Sequence, residues 1–425
     1  MKINKIEIKP RSCINAEIDI PGSKSITNRA LIIAAMSDGE CVLRNALFSD
    51  DTKYMQLALK ELCIEVKSNE STNEIIVVGK KGIICKPQND LYLGNAGTAI
   101  RFLTSLTAIG EGEFILTGDE RMQERPIGDL VDGLKSLGAR ISYLKNEGYP
   151  PIKVISSRLN GGKTKMKGNI SSQFFSSILI SGAYAKNDVE VEVVGEMVSK
   201  PYIDITIKVM QDFGVQSINE GYKYFKIPSE QVYKHQDYTI EGDASNASYF
   251  FAAAAITGGR VRVNNIDFST KQGDIEFVKI LEKMGCSIND GKNFIEVKGG
   301  PLKGIDIDMH NISDVVQTLA VVALFAKGRT VIRNVANMRV KETDRLRALY
   351  NELSKLGAKI IEMEDGLVIN PIDNYNPSAI DTYNDHRMAM SFSLAGLKIN
   401  GIIINDPGCV SKTFPNYFTL FNSLK

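Results

Sequence analysis

The sequence predicts an α/β protein assembled from six copies of one unit, each with two helices and three or four strands, three units to a domain. A helix end followed by a strand recurs at Leu137-Gly138-Ala139-Arg140-Ile141, Phe213-Gly214-Val215, Met284-Gly285-Cys286-Ser287-Ile288 and Leu356-Gly357-Ala358-Lys359-Ile360. Leu62-Cys63-Ile64-Glu65-Val66 is a degenerate copy, and Leu424 stands where a last one would begin. The apolar positions 62, 137, 213, 284, 356 and 424 lie 75, 76, 71, 72 and 68 residues apart, a period longer than the common solenoid repeats. Six apolar, Ala-rich helices, each preceded by a small polar turn, recur on the same period.

Taken in order, those turns are Gly22-Ser23-Lys24-Ser25, Gly94-Asn95-Ala96-Gly97-Thr98, Asn169-Ile170-Ser171-Ser172-Gln173, Gly242-Asp243-Ala244-Ser245, Asn311-Ile312-Ser313-Asp314 and Tyr383-Asn384-Asp385-His386-Arg387. All six read as capped helix N-termini. Short strands follow, for example Glu113-Phe114-Ile115-Leu116, Arg260-Val261-Arg262-Val263 and Ile402-Ile403-Ile404. The second helix of each unit closes on the recurring glycine, read as a left-handed C′ cap. The sixth unit ends at its helix, and the alternating strand Ile3 to Ile8 is the natural substitute for its missing strand. The expected partition is therefore residues 1–20 with 241–425 as one domain and 21–240 as the other.

Composition limits the functions open to such a chain. Its 425 residues are 43% hydrophobic and 24% charged, with a formal net charge of +1. A near-neutral total argues against a general nucleic-acid binder. No apolar run is long enough to span a bilayer, and the N-terminus lacks the apolar core of a signal peptide, so a cytoplasmic protein without a membrane partner is expected. Cys13, Cys41, Cys63, Cys85, Cys286 and Cys409 are scattered singly, which reads as reduced thiols.

Basic residues gather at the helix-start turns and in the loops before the second helices: Lys24, Arg29, Arg101, Arg125, Lys341, Arg345, Arg387 and Lys412. Lys200 and Lys271 occupy the equivalent loops of the third and fourth units, where the first unit has Asp50-Asp51. Helix N-termini carry unpaired N–H groups and a positive dipole end, so cations collected there suit a small polyanion, in a cleft if both domains contribute. The alternative is a set of capped helices whose cations face water. Gly22-Ser23-Lys24-Ser25 is not a nucleotide-binding P-loop, because the glycines that loop needs are missing. Among the cations lie Asp314, Glu342 and Asp344, either structural counter-ions or proton-transfer groups. His386 is a proton carrier or a hydrogen-bond donor, whereas His235 and His310 read as peripheral. Asp306, Asp308 and His310 share one strand face, which reads as solvated rather than metal-binding.

Seven stretches, Pro21 to Ala30, Leu93 to Ala99, Arg121-Met122-Gln123-Glu124-Arg125-Pro126-Ile127, Ser171 to Phe174, Ser199-Lys200-Pro201-Tyr202, Arg339-Val340-Lys341-Glu342-Thr343-Asp344-Arg345 and Asn384 to Ala389, closely resemble the signatures of the 5-enolpyruvylshikimate-3-phosphate synthases. The resemblance covers essentially the whole chain. It implies a two-domain inside-out α/β barrel of six βαβαββ-type repeats, three per domain. It also implies transfer of the enolpyruvyl group of phosphoenolpyruvate to the 5-hydroxyl of shikimate 3-phosphate, with no cofactor and no metal; a monomer is expected, and reacting groups drawn from both domains suggest closure on the substrates.

By the same resemblance, Lys24, Ser25, Arg29, Ser171, Ser172, Gln173, Ser199, Tyr202, Asp314, Asn337 and Lys341 hold shikimate 3-phosphate. Lys24, Asn95, Gly97, Arg125, Gln173, Arg345, Arg387 and Lys412 hold phosphoenolpyruvate. Asp314, with Lys341, is expected as the base at the 5-hydroxyl and Glu342 as the group serving C3, supported by His386. Lys24, Arg125, Arg387 and Lys412 would stabilise the leaving phosphate. Phe102 stands after Arg101 where many members have proline, a departure that bears on the phosphoenolpyruvate pocket and on sensitivity to glyphosate, which the retained Gly97 predicts. The rivals are the sister enolpyruvyl transferase acting on UDP-N-acetylglucosamine, whose reactive cysteine is missing from Arg121 to Pro126, and a partner-binding repeat scaffold.

Overall fold

The chain forms two hydrophobic cores, one in each of two compact bodies. The structure, a computed structural model, describes residues 4–425, so the first three positions of the N-terminal strand pattern lie outside the described residues. One body is the continuous stretch Gly22–Ile240; the other joins the chain up to Pro21 with Glu241–Lys425.

Helices that are apolar on every side must be buried on every side. In the continuous body these are Lys24–Met36, Gly97–Ile109 and Ser172–Gly182, and every residue of the second is buried. In the split body Ala244–Thr257, Val316–Ala323 and His386–Ala395 pack against one another. The outer helices bury one stripe each: Glu276–Met284 turns Phe277, Val278, Ile280, Leu281 and Met284 inward.

Among the described residues, six sheets flank these helices, five of four strands and one of three. In a representative sheet, Asp306–Asp308 runs parallel to Thr330–Arg333, which pairs antiparallel with Gly366–Asn370, itself antiparallel to Lys359–Met363. In the three-stranded sheet Lys5–Ile8 supplies the antiparallel strand, with Lys5 opposite Asn405 and Ile8 opposite Ile402. Inward positions alternate with outward ones, as in Val189–Val194, so each sheet lays one face on the helices. Helices thus lie inside and sheets outside in each body, the inside-out barrel architecture.

The recurring glycines Gly138, Gly214, Gly285 and Gly357 have φ of 98°, 85°, 118° and 87°, a conformation that costs a residue with a Cβ but not glycine. Cys63 occupies the same position in the first repeat with φ 63°. From there its sulfur is joined to Cys85 in a disulfide, with a Cα–Cα distance of 5.6 Å, which corrects the expectation of six reduced thiols. The Cys85 N–H donates to the Leu62 carbonyl, a long-range contact that no cysteine spacing reveals. Cys13, Cys41, Cys286 and Cys409 are free.

The six helix starts are not equally capped, a second correction. Ser171, Asp243 and Asp385 accept from the first-turn N–H groups of Gln173, Asn246 and Arg387. The helices starting at Lys24 and Gly97 have no side-chain cap, and Asp314 lies in a 3₁₀ turn, Ser313–Val315, ahead of the Val316 helix. Ser23, the expected cap of the first helix, is fully buried, with φ and ψ of −63° and 126°, and its hydroxyl is turned away from that duty. No helix among the described residues is long and apolar enough to cross a membrane.

In the denatured protein without reductant, thiol titration should find the four free cysteines, and reductant should expose all six. Reduction should destabilise the continuous body by about 3 kcal/mol in denaturant melts, since it reopens a loop whose ends are 22 residues apart.

Candidate active site

In the continuous body the candidate residues cluster at the starts of its three buried helices. Lys24 opens the first, and its Nζ lies 3.4 Å from Asp51 Oδ2. One turn on, Arg29 is only 1% exposed. It donates from Nε to Thr206 Oγ1 (2.7 Å), from Nη1 to the Ser25 carbonyl (2.8 Å), and from Nη2 to Ser176 Oγ (3.3 Å) and the Tyr202 carbonyl (3.1 Å). Burial pulls its pKa down to about 10, the nearby Tyr202 hydroxyl opposing. Phe102 lies beneath it, the guanidinium carbon 5.3 Å from the ring centroid. The sequence departure at Phe102 therefore touches Arg29.

A second chain of contacts joins the other two helix starts. Arg101 Nη1 donates to Gln173 Oε1 at 2.6 Å, Gln173 Nε2 donates to Thr98 Oγ1 at 3.1 Å, and Ser171 Oγ accepts from the Gln173 N–H at 3.3 Å. Arg125 Nη1 donates to both oxygens of Asn95, at 2.8 Å to Oδ1 and 3.1 Å to the carbonyl. Gly97 lies between the two arginines. A Cβ there would stand 2.6 Å from Arg125 Nη2 and 2.8 Å from Arg101 Nη1, so only glycine leaves both guanidinium groups where they are. Ser172 and Ser199 are buried, and Ser199 takes φ 55°, a left-handed conformation uncommon for serine, directly before the Lys200–Asp212 helix.

The split body concentrates charge around Asp314. Lys341 Nζ donates to its Oδ1 at 2.5 Å, Arg345 Nη1 to the same oxygen at 3.2 Å, and Arg387 Nη2 to Oδ2 at 3.0 Å. Arg345 also forks onto the fully buried Asp385, Nε to Oδ2 at 2.7 Å and Nη2 to Oδ1 at 3.3 Å, and reaches Glu342 Oε2 at 2.9 Å. Ser313 Oγ accepts from Lys341 (3.1 Å) and from Asn337 Nδ2 (3.4 Å). His386 is buried, its Nδ1 3.6 Å from Asp385, and Lys412 is buried at the end of the turn Pro407–Lys412.

These contacts set the protonation of the cluster. Burial pushes the Asp314 carboxyl up, but Arg387, Lys341 and Arg345 together outweigh it and hold the group well below the usual carboxylate range. Burial lowers Lys341, and Asp314 only partly restores it, so the ammonium is a readier proton donor than a surface lysine. Arg345 is held fully charged: burial opposes its charge, but Asp385, Glu342 and Asp314 prevail. A carboxylate poised beside a loosened ammonium can take a proton from a hydroxyl, and the surrounding cations can hold carboxylate or phosphate.

Not every predicted residue joins a cluster. Lys200 pairs with Glu196 at 3.6 Å beside Tyr222, and Lys271 is exposed. Asp306 is bound by Arg333 and Asp308 by Asn334, while the exposed His235 pairs with Asp38. Conversely, Arg101, Asp51 and Asp385 are integral to the clusters. Arg101 is already among the cations gathered near the helix starts; Asp385 stands within a helix-start turn and could have been chosen on position alone, and Asp51 breaks the cationic pattern of its loop, which hid it.

The profile of a family described as EPSP synthase (3-phosphoshikimate 1-carboxyvinyltransferase) matches residues 8–421. The 3-phosphoshikimate 1-carboxyvinyltransferase of Sulfurovum sp. is 48% identical over 424 residues, covering 99% of both chains. The enzyme of the same name from Shewanella oneidensis is 49% identical over 425 residues, covering 100% of both. Among solved structures, an EPSP synthase from Acinetobacter baumannii superposes with a TM-score of 0.84 at 26% identity, over 99% of this chain and 98% of that one.

Replacing Arg345 by Met should leave Asp314, Glu342 and the buried Asp385 without their common cation. Removing one partner of a buried pair typically costs about 3–5 kcal/mol, and a loss of that size is expected in denaturant melts at neutral pH. The loss should shrink toward acid, where the stranded carboxylates can protonate; a pH-independent change would contradict the charge assignment.

Proposed function

The chain belongs to the EPSP synthase family and catalyses the transfer of the enolpyruvyl group of phosphoenolpyruvate to the 5-hydroxyl of shikimate 3-phosphate with release of phosphate, and on that premise we propose how its side chains do so. The observation that carries the proposal is Asp314, a carboxylate shared by Lys341, Arg345 and Arg387. Asp314 takes the proton of the 5-hydroxyl as that oxygen attacks C2 of phosphoenolpyruvate. Glu342, its Oε2 accepting from Arg345, enters the cycle protonated, gives that proton to C3 and so completes a tetrahedral adduct. Cleavage of the C–O bond then expels phosphate, which takes up the proton held by Asp314, and the methyl group returns its proton to Glu342, leaving the enolpyruvyl ether.

Binding roles follow the chemistry of the groups. Hydroxyls and amides suit a ring with several hydroxyls and one phosphate: Ser25, Ser171, Ser172, Gln173, Ser199, Tyr202 and Asn337, with Lys24, Arg29, Asp314 and Lys341. Arg29 spends most of its donors on protein oxygens, so its part is chiefly to fix the Ser25 and Tyr202 backbone around that ligand. Arg125, Arg387, Lys412 and Lys24, with Asn95, Gly97 and Gln173, suit phosphoenolpyruvate, which is nearly all anion. Arg345 belongs with this group but acts mainly by orienting Glu342 and Asp314. Lys24, Arg125, Arg387 and Lys412 meet the charge that grows on the leaving phosphate. His386 supports Glu342 from its buried place beside Asp385.

We also place the enzyme in the cytoplasm as a monomer. The Cys63–Cys85 bridge is the one feature at odds with a reducing compartment, and the thiol titration applied to protein trapped in intact cells decides whether it persists there. The retained Gly97, where a Cβ would press on Arg125 and Arg101, supports sensitivity to glyphosate, read as inhibition competitive with phosphoenolpyruvate; inhibition constants far above the phosphoenolpyruvate affinity would overturn it.

The proposal is tested by phosphate release. Wild-type protein should release phosphate only when both substrates are present, and none when UDP-N-acetylglucosamine replaces shikimate 3-phosphate. Glu342→Gln should bind both substrates with affinities near wild type and lose roughly 10²–10⁴-fold in turnover, the usual worth of a proton-transfer group. Normal turnover in that variant would remove Glu342 from the mechanism.

A further inference from the structure

One buried acid of the split body lies outside the roles assigned so far. Asp274 sits in the 3₁₀ turn Gly273–Ile275 just before the Glu276–Met284 helix and is 4% exposed. Its turn is fastened to the start of the neighbouring buried helix. Gln272 Oε1 accepts from the Ala244 N–H at 3.1 Å, and Gln272 Nε2 donates to the Gly242 carbonyl at 2.7 Å. The Ser245 hydroxyl then donates to Asp274 Oδ2. The carboxyl is thus aimed at the N-terminus of Ala244–Thr257, the helix whose Tyr249 hydroxyl accepts from Arg387 at 3.4 Å. The same arginine holds Asp314 at 3.0 Å. A further link, Ser248 Oγ to Thr318 Oγ1 at 3.1 Å, ties that helix to the one that follows Asp314.

We propose that Asp274 is a positioning residue that acts through Arg387 and its own charge to tune Asp314 as a base. The inference rests on the assignment of Asp314 as the base at the 5-hydroxyl. Asp274 is faced by Ser245 and Asp243 from the Ala244–Thr257 helix, by Asp314 from the turn Ser313–Val315 and by Arg387 from the His386–Ala395 helix. On its own segment the charged neighbours, Lys271 and Glu276, are exposed. Burial, then the charge of Asp314, push Asp274 up to about 6, with Arg387 and the Ser245 hydroxyl opposing. The interaction is reciprocal. When Asp274 ionises, it raises the proton affinity of Asp314 and competes for Arg387. Asp314 alone is held so low by its cations that it is a poor base near neutrality, and a base works best when its proton affinity matches the working pH. Charging Asp274 corrects part of that mismatch.

The test is the pH dependence of kcat/KM from pH 5 to 8.5 for wild type, Asp274→Asn and Ser245→Ala, with Asp314→Asn as the check on the premise. Asn resembles the neutral acid in shape, so the ratio of wild type to Asp274→Asn should be near one at pH 5. It should rise about threefold or more through a midpoint near 6, as a base gains proton affinity. The phosphates of both substrates also titrate near pH 6, but they are common to the two proteins and cancel in the ratio. Ser245→Ala removes a hydrogen bond that favours the charged form, so its midpoint should move upward. A ratio that is flat across pH, whether at one or at a uniform loss, would overturn the proposal and leave Asp274 a packing residue, and so would an unmoved midpoint in Ser245→Ala. Full turnover in Asp314→Asn would instead overturn the premise, an outcome separate from any change in the ratio.

Discussion

Three cations sharing one carboxylate is the constraint on which the split body depends. Lys341 and Arg345 come from the one stretch Arg339 to Arg345 and Arg387 from the start of the His386–Ala395 helix, and Asp314 is the point at which they meet. Burying an arginine to 1% exposure is unfavourable unless its fork is filled, and Arg345 fills its own with Asp314, Glu342 and Asp385. Such a network adds little net stability over an apolar core, yet it is costly to break. It therefore fixes the geometry of the groups to which we assign the chemistry, and the electrostatics follow from that geometry. The carboxylate is held low, which keeps it ionised but weakens it as a base, and the ammonium beside it is loosened toward giving up its proton.

The continuous body solves a related problem with Asp51, beside Lys24, as the acid among its cations. Arg125 and Arg101 are satisfied by carbonyls and amides, Asn95, Gln173, Gly97 and Pro126, so their charge is not neutralised by those partners. Lys24 has a carboxylate partner, Asp51, at the looser distance of 3.4 Å. Two helix starts here lack side-chain caps, which leaves their positive ends for another anion. One repeated architecture thus yields two electrostatic surroundings: an internally paired acid–base cluster in one body and a net cationic cluster in the other.

Much of this was legible because repetition amplifies weak signals. A single glycine after a leucine says little, but four at one period marked the helix ends, and each has the positive φ that glycine tolerates. The missing strand of the sixth repeat was legible because its absence stood out against the other five. What stayed hidden depends on long-range contact. Cys63 and Cys85 are brought together by a backbone bond between Cys85 and Leu62, not by spacing. Loop position made Lys200 and Lys271 equivalent to Arg125 and Lys341, but only the latter two point into a cluster; the fold turned the others toward Glu196 and solvent. Capping residues were present at all six starts, yet Ser23 is not used as a cap. Asp274 gave no signal at all, because its importance lies in a turn fastened by Gln272 to a helix thirty residues earlier.

The most direct measurement is a crystal structure of the protein with shikimate 3-phosphate bound. The account predicts the 5-hydroxyl within about 2.6–3.2 Å of an Asp314 carboxylate oxygen, with Lys341 still paired to that residue. A 5-hydroxyl directed to another group, with Asp314 enclosed by its three cations and out of reach, would contradict it and leave Asp314 a counter-ion.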